Sequence, residues 1–186
     1  MSVRISGGKM KGRKISVRAA GGGLRPTSAK VREALFNIIG AKIMGSSFVD
    51  LYAGSGAIGM EAMSREAAEV YFVESDRRRA ASIEETLSGC GCRPKAVIAN
   101  MKAASFVERA AREGRKFDIV FLDPPYASEE MEPLLEALGK GEVLAEGAVV
   151  VAEHEKRTGL PEEAGVLRKK KTYRYGDTTL TLMEKA

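Results

Sequence analysis

Two cysteines and a single histidine are all the soft metal-ligand chemistry that this chain of 186 residues offers. Both cysteines sit in Gly89-Cys90-Gly91-Cys92. Cys-x-Cys is too short for a comfortable disulfide, and two thiols with one imidazole leave a tetrahedral zinc site incomplete. Reduced loop thiols and no metal are therefore expected. Long apolar runs are missing as well: nothing approaches the roughly 18 residues of a membrane-spanning helix. The start, Met1-Ser2-Val3-Arg4, lacks the apolar stretch of a secretory signal. With 44% hydrophobic and 30% charged residues, a globular chain of one domain with a small appendage is expected. It is expected to be cytoplasmic and monomeric, with no membrane contact.

Acids are absent from one end. Nine basic residues precede the first carboxylate, Glu33: Arg4, Lys9, Lys11, Arg13, Lys14, Arg18, Arg25, Lys30 and Arg32. The net charge is +5, so the remainder carries −4. A basic arm on an acidic body suits a polyanionic partner, although a solvated tail would read the same way. Arg168-Lys169-Lys170-Lys171 either extends that surface or forms a polar turn.

Between these ends, apolar runs alternate with helical patterns. Residues 3–17 read as a hairpin around Gly7-Gly8 and Gly12. A helix capped by Thr27 or Ser28 follows, with Val31, Leu35, Ile38 and Ile39 on one face. Strands are expected at 48–51, 70–73, 96–98, 117–122 and 148–152, with helices at 57–65, 76–87, 103–113 and 130–138. Strands at 171–174 and 178–183, joined by Tyr175-Gly176-Asp177, close the chain. Such alternation predicts a largely parallel sheet with helices on both faces and an antiparallel edge.

Gly54-Ser55-Gly56-Ala57-Ile58-Gly59 joins the first of those parallel strands to its helix. G-x-G-x-x-G alone fits several nucleotide-like cofactors. Glu74 lies twenty residues on, where a carboxylate can hold ribose hydroxyls. Asp50, just before the loop, separates the candidates. A carboxylate there repels the pyrophosphate of NAD, because that pocket works by presenting amides to anions. It attracts the sulfonium and ammonium of S-adenosylmethionine. A residue that only caps the loop amides is the alternative.

Asp123-Pro124-Pro125-Tyr126 follows the apolar strand ending at Leu122. Two prolines remove backbone N–H donors, which leaves a corner rich in acceptors. The Asp123 carboxylate and the Pro124 carbonyl can accept from an exocyclic base amine, and Tyr126 can stack on the base, which must be swung out to enter. A rigid strand-to-helix turn without chemistry is the alternative.

Three segments now carry a resemblance. They are Arg25-Pro26-Thr27 through Lys30 and Arg32-Glu33-Ala34-Leu35-Phe36-Asn37; Asp50-Leu51-Tyr52-Ala53-Gly54-Ser55-Gly56 with Gly59 and Glu61-Ala62; and Phe121-Leu122-Asp123-Pro124-Pro125-Tyr126. With Tyr175-Gly176-Asp177-Thr178, they resemble the small single-domain bacterial enzymes that methylate N2 of guanine 966 in 16S ribosomal RNA. The resemblance implies a Rossmann-like class I methyltransferase: an α/β fold with a seven-stranded mixed sheet, its last strand antiparallel between earlier ones. It implies a basic hairpin arm over 1–24 and the methyltransferase domain over 25–186. It also implies S-adenosylmethionine as donor, S-adenosylhomocysteine as product, and the small ribosomal subunit or its precursor as substrate.

By matching positions, Asp50, Ala53, Gly54, Ser55, Gly56, Glu74, Ser75, Asn100, Met101 and Asp123 would bind the donor. Asp123, Pro124, Pro125 and Tyr126 would hold the guanine amine. The helix after Arg25-Pro26-Thr27 would pack over donor and base. Arg4, Lys9, Lys11, Arg13, Lys14, Arg25, Thr27, Lys30 and Arg32 would face RNA. Asn100 stands where the family usually has an aspartate that bonds the donor's adenine; its side-chain carbonyl still accepts, without charge. An adenine-N6 methyltransferase of DNA or RNA, and an RNA-binding assembly factor without catalysis, are the competing functions. His154 is not needed by this chemistry, since the amine proton can leave after methyl transfer.

Overall fold

The computed structural model describes residues 2–16, 28–90, 96–126 and 128–186. Strands β1 (Ser2–Arg4) and β2 (Lys14–Ser16) form the expected antiparallel hairpin. Helix α1 (Ala29–Ile39) is capped by the Ser28 hydroxyl, which accepts from Val31 N at 3.2 Å. Gly40, at φ 59°, ends it and opens a short 3-10 turn over 40–43. The alternation then runs β3 (Ser47–Asp50), α2 (Ala57–Ser64), β4 (Glu69–Val73), α3 (Arg77–Cys90), β5 (Ala96–Ala99), α4 (Ala103–Arg112), β6 (Phe117–Leu122) and α5 (Met131–Gly139). Four strands close the chain: β7 (Leu144–Glu155), β8 (Glu163–Ala164), β9 (Leu167–Tyr175) and β10 (Thr178–Lys185).

The sheet order is β5-β4-β3-β6-β7-β10-β9-β8. The first five are parallel, and β10 runs antiparallel between β7 and β9. The implied seven strands are therefore present with an eighth, the two-residue edge β8. A tight turn creates it: Gly165 (φ 57°) lies so close to the Gly139 carbonyl that a Cβ would meet it at 2.1 Å. Strand β7 is longer than its apolar run suggested, because Gly147 at φ 67° carries it through the register shift opposite β6.

Side chains alternate across the sheet. Phe48, Phe72, Ile119, Phe121 and Val151 face one core with α1 and α2. Val49, Tyr71, Val120, Leu122 and Val150 face the other with α4 and α5. Both faces being covered explains why the central strands read as continuous apolar runs. Val3, Ile5 and Ile15 of the hairpin join the first core, so the arm is packed onto the body.

One expectation meets the structure differently. Cys90, expected as a thiol, is disulfide-bonded; Cys92 lies outside the described residues. The boundary between arm and body, at residue 24, also lies outside them. Among the described residues no helix is long and apolar enough to cross a membrane.

Candidate active site

The strand order reverses between β3 and β6, and ligands of open α/β sheets bind in the crevice outside the carboxyl ends at such a point. Asp50 is the last residue of β3; Asp123 follows the last residue of β6. The pairing continues one step past β3, where Leu51 N donates to Phe121 O at 3.0 Å. Both carboxylates are thus delivered to one crevice by the two central strands.

Next to them the glycine loop turns into α2. Gly54 and Gly56 hold φ values of 51° and 76°, and Gly56 caps the helix. The third glycine has a different duty: a Cβ on Gly59 would lie 2.2 Å from the Phe72 ring, so its absence lets α2 press against β4. Glu74, 6% exposed, receives the loop. One of its oxygens accepts from Gly54 N at 2.9 Å and the other from Asp76 N at 2.8 Å. Each carboxylate oxygen retains a second lone pair for a hydroxyl. Asn100 closes the next strand end, its amide donating to the Glu74 and Ser75 carbonyls at 2.8 and 3.1 Å. An aspartate could not donate these two bonds. The arrangement leaves the Asn100 carbonyl oxygen as the acceptor. Ser75 and Asn100 are exposed and Met101 is half-buried, which sets all three on the rim, while Ala53 is buried in the loop.

Asp50 is the electrostatic anomaly. It is 1% exposed; one oxygen accepts from Tyr52 N at 3.2 Å, and Oδ2 has no hydrogen-bond partner among the described residues. Burial, and more weakly the charges of Asp123 and Glu74, push its carboxyl up to about 8 against the one opposing bond from Tyr52. A buried carboxylate lacking a partner is costly, and a cation placed against Oδ2 removes that cost. The crevice suits an ammonium or sulfonium and repels a pyrophosphate.

The Asp123-Pro124-Pro125-Tyr126 corner rises from buried to exposed. Pro124 is buried, Asp123 half-buried and Tyr126 42% exposed. Pro125 O accepts from Ser128 N at 2.8 Å, which folds the corner back on itself. The Tyr126 and Thr178 hydroxyls lie 3.1 Å apart, tying the corner to the start of β10. Across the crevice, Tyr52 donates to a Glu130 carboxylate oxygen at 2.6 Å. Burial and that carboxylate push the Tyr52 phenol well above its ordinary value.

The family model described as Conserved hypothetical protein 95 matches residues 3–184. Ribosomal RNA small subunit methyltransferase D of Escherichia coli is 38% identical over 159 residues, 86% of this chain and 78% of that protein. The chain belongs to the ribosomal RNA small subunit methyltransferase D family. The solved structure of yhhF from Escherichia coli superimposes with a TM-score of 0.88 at 31% identity, covering 100% of this chain and 98% of that one. SMU.776, solved in complex with SAH, shares the fold at 16% identity and a TM-score of 0.64, over 83% of this chain and 48% of that one.

In this family member the basic residues divide by burial. Arg4, Lys9, Lys11, Arg13, Lys14 and Lys30 are exposed. Lys9 pairs with Glu66 at 2.5 Å, and Arg13 reaches the Cys90 carbonyl at 3.4 Å. Arg25 and Thr27 lie outside the described residues. Arg32 requires a correction, since it is 4% exposed and turned inward. It donates to the Arg4 carbonyl at 2.7 Å and lies 3.6 Å from Glu61, a buried acid on α2. An arginine on a short helix is usually solvated; here the buried Glu61 draws it inward.

Glu61 also accepts from Ser6 N and Ser6 Oγ at 2.9 and 2.8 Å, and from Arg65 at 3.0 Å. Beside it, Gly8 (φ 74°) sits where a Cβ would meet the Ser64 carbonyl at 1.9 Å. Lys9 N donates to that same carbonyl at 2.7 Å. The arm is therefore bolted to the helix that carries the glycine loop. The signal in the sequence was one acid inside Ala57-Ile58-Gly59-Met60-Glu61-Ala62-Met63. His154 is buried between Thr181 Oγ1 (2.8 Å) and the Glu155 carbonyl (2.9 Å), a link between β7 and β10.

Proposed function

We propose that the protein transfers the methyl group of S-adenosylmethionine to the N2 amine of a guanine in 16S ribosomal RNA, acting as a cytoplasmic monomer on the small subunit or its precursor. One observation carries the reading: at the switch point, beside the corner at Asp123, Asp50 holds a buried carboxylate oxygen without a partner among the described residues. Membership of a family whose relatives are named for small-subunit ribosomal RNA supports the substrate class.

Bound there, S-adenosylmethionine supplies an electrophilic methyl group. Asp50 neutralises the donor's ammonium. Glu74 accepts from ribose hydroxyls while still holding Gly54 N. The Asn100 carbonyl accepts from the adenine amine. Asp123 and the Pro124 carbonyl accept the two N–H bonds of the guanine amine and stabilise the positive charge that grows on nitrogen. Tyr126 stacks on the base; its hydroxyl, held by Thr178, sets the ring's angle. As the N–C bond formed, the sulfur–methyl bond would break to leave S-adenosylhomocysteine, and the surplus proton would pass from the amine to solvent. Arg4, Lys11, Lys14 and Lys30 hold the phosphate backbone.

The test is transfer of labelled methyl groups to ribosomal RNA from cells lacking the enzyme, followed by digestion to nucleosides. Labelled N2-methylguanosine is the expected product. Labelled N6-methyladenosine would assign the adenine chemistry instead, and no transfer together with undetectable donor binding would leave a non-catalytic RNA binder.

A further inference from the structure

A groove of about 380 Å³ lies between α1 and β9. One wall is the solvent face of α1, with Lys30, Glu33 and Asn37 at successive turns. The other is the α1-facing side of β9, where Tyr173 and Tyr175 stand two residues apart on the same face. Both rings are half-buried, so they are held by packing yet open on the groove. The Lys171 ammonium sits 5.1 Å from the Tyr173 ring centre, which braces the ring and adds a cation to the groove's edge.

Charge separates Lys171 from the rest of its cluster. Arg168 pairs with Glu163, Lys169 with Glu162, and Lys170 with Glu184. Lys171 and Lys30 form no ion pair among the described residues. Two cations without an ion pair among the described residues thus flank two phenol rings, on a groove that the Glu33 carboxylate and the Asn37 amide also line. Cations that track phosphates, interleaved with aromatic faces that stack bases, are the elements of a single-stranded nucleic-acid site. An acid suits the middle of such a groove as an acceptor for base amines and repels a phosphate placed there.

The chain links the groove to the reacting centre. Tyr175 ends β9; the turn through Gly176 leads to Thr178, which bonds Tyr126 of the Asp123 corner. We propose that this groove is a stacking subsite for an unpaired RNA base flanking the one that is methylated, its phosphates held by Lys30 and Lys171. The proposal rests on the ribosomal RNA reading above and names how that substrate is gripped.

The experiment combines kinetics with crosslinking. Tyr173→Leu with Tyr175→Leu should raise the KM for ribosomal RNA about ten-fold, with donor affinity and melting temperature unchanged. Tyr173→Phe with Tyr175→Phe should behave as wild type, because stacking needs the ring and not the hydroxyl. Irradiation of wild-type protein on 16S RNA carrying 4-thiouridine should attach RNA to the peptide containing Tyr173 and Tyr175. Binding is enough for this arm, so it decides even if no methyl transfer is seen, and such a loss would count against the proposed function alone. Methyl transfer with an unchanged KM in the leucine variant, or adducts confined to other peptides, would overturn the subsite. A KM effect seen only on assembled subunits and absent on naked RNA would assign the groove to a protein and overturn it as well.

Discussion

Asp50 ends β3 and Asp123 directly follows the adjacent parallel strand β6, and the charge of the second helps to push the carboxyl of the first up. Two carboxylates and a third, Glu74, converge on one crevice, and only a cationic guest lets Asp50 ionise there without penalty. The consequence can be measured as protons. With its carboxyl pushed up to about 8, Asp50 should be protonated at pH 6 in the free protein, and binding S-adenosylmethionine should then release close to one proton. Calorimetry in buffers of different ionisation enthalpy reads that number directly. Asp50→Asn should bind far more weakly and release none. A wild-type value of zero would mean that Asp50 is not the ammonium partner.

The same group shapes stability without donor. Its folded value, about 8, lies above the ordinary 3.8, so between those limits the native state binds more protons than the unfolded one. Stability should therefore fall as pH rises across that window, by up to about 1.4 kcal/mol per unit from this group, and level off above it. Asp50→Asn should flatten the dependence in urea titrations at pH 5, 7 and 9. Identical slopes for both proteins would show that Asp50 is ionised from the start.

Asp123 touches the amine and not the donor's ammonium in the proposed arrangement. Asp123→Ala should lower kcat on the order of 100-fold or more, as loss of a preorganised charge-stabilising group does, with donor affinity largely kept. Equal losses in turnover and in donor binding would contradict that division of roles.

Glu61 is expected to be a structural hub. Glu61→Ala strands the buried Arg32 guanidinium and removes both acceptors of Ser6. Breaking a buried pair costs roughly 3–5 kcal/mol. The arm should become cleavable by trypsin at Lys9 and Lys11 under conditions where wild type resists. An arm that stays protected would show that Val3, Ile5 and Ile15 hold it unaided.

Charge reversal of Lys11 and Lys14, both exposed, should weaken RNA binding and reduce the steepness of its salt dependence. Reversal of Lys9 should do less, because Glu66 already neutralises it. A salt slope identical to wild type would return the arm to a solvated surface.

Much of this protein was legible before folding. Alternating strand and helix patterns, a cap at Thr27 or Ser28, the glycines at 54, 56 and 59, and the acceptor-rich corner at 123–126 all depend on neighbours within a few residues. Backbone sterics and side-chain period act over that range, so the α/β order and the positions of Asp50, Glu74 and Asp123 follow from the chain itself. What the tertiary structure decided is which distant groups meet. Arg32 became an anchor because α2 brings a buried acid beneath it. Asp50 acquired its raised value because the fold buries its carboxylate near two other acids, Asp123 and Glu74. Tyr126 meets Thr178, and Tyr173 and Tyr175 meet α1, because β10 lies between β7 and β9 in the sheet. Desolvation and pairing energies are set by the surroundings in space, and a sequence states those surroundings only through the fold.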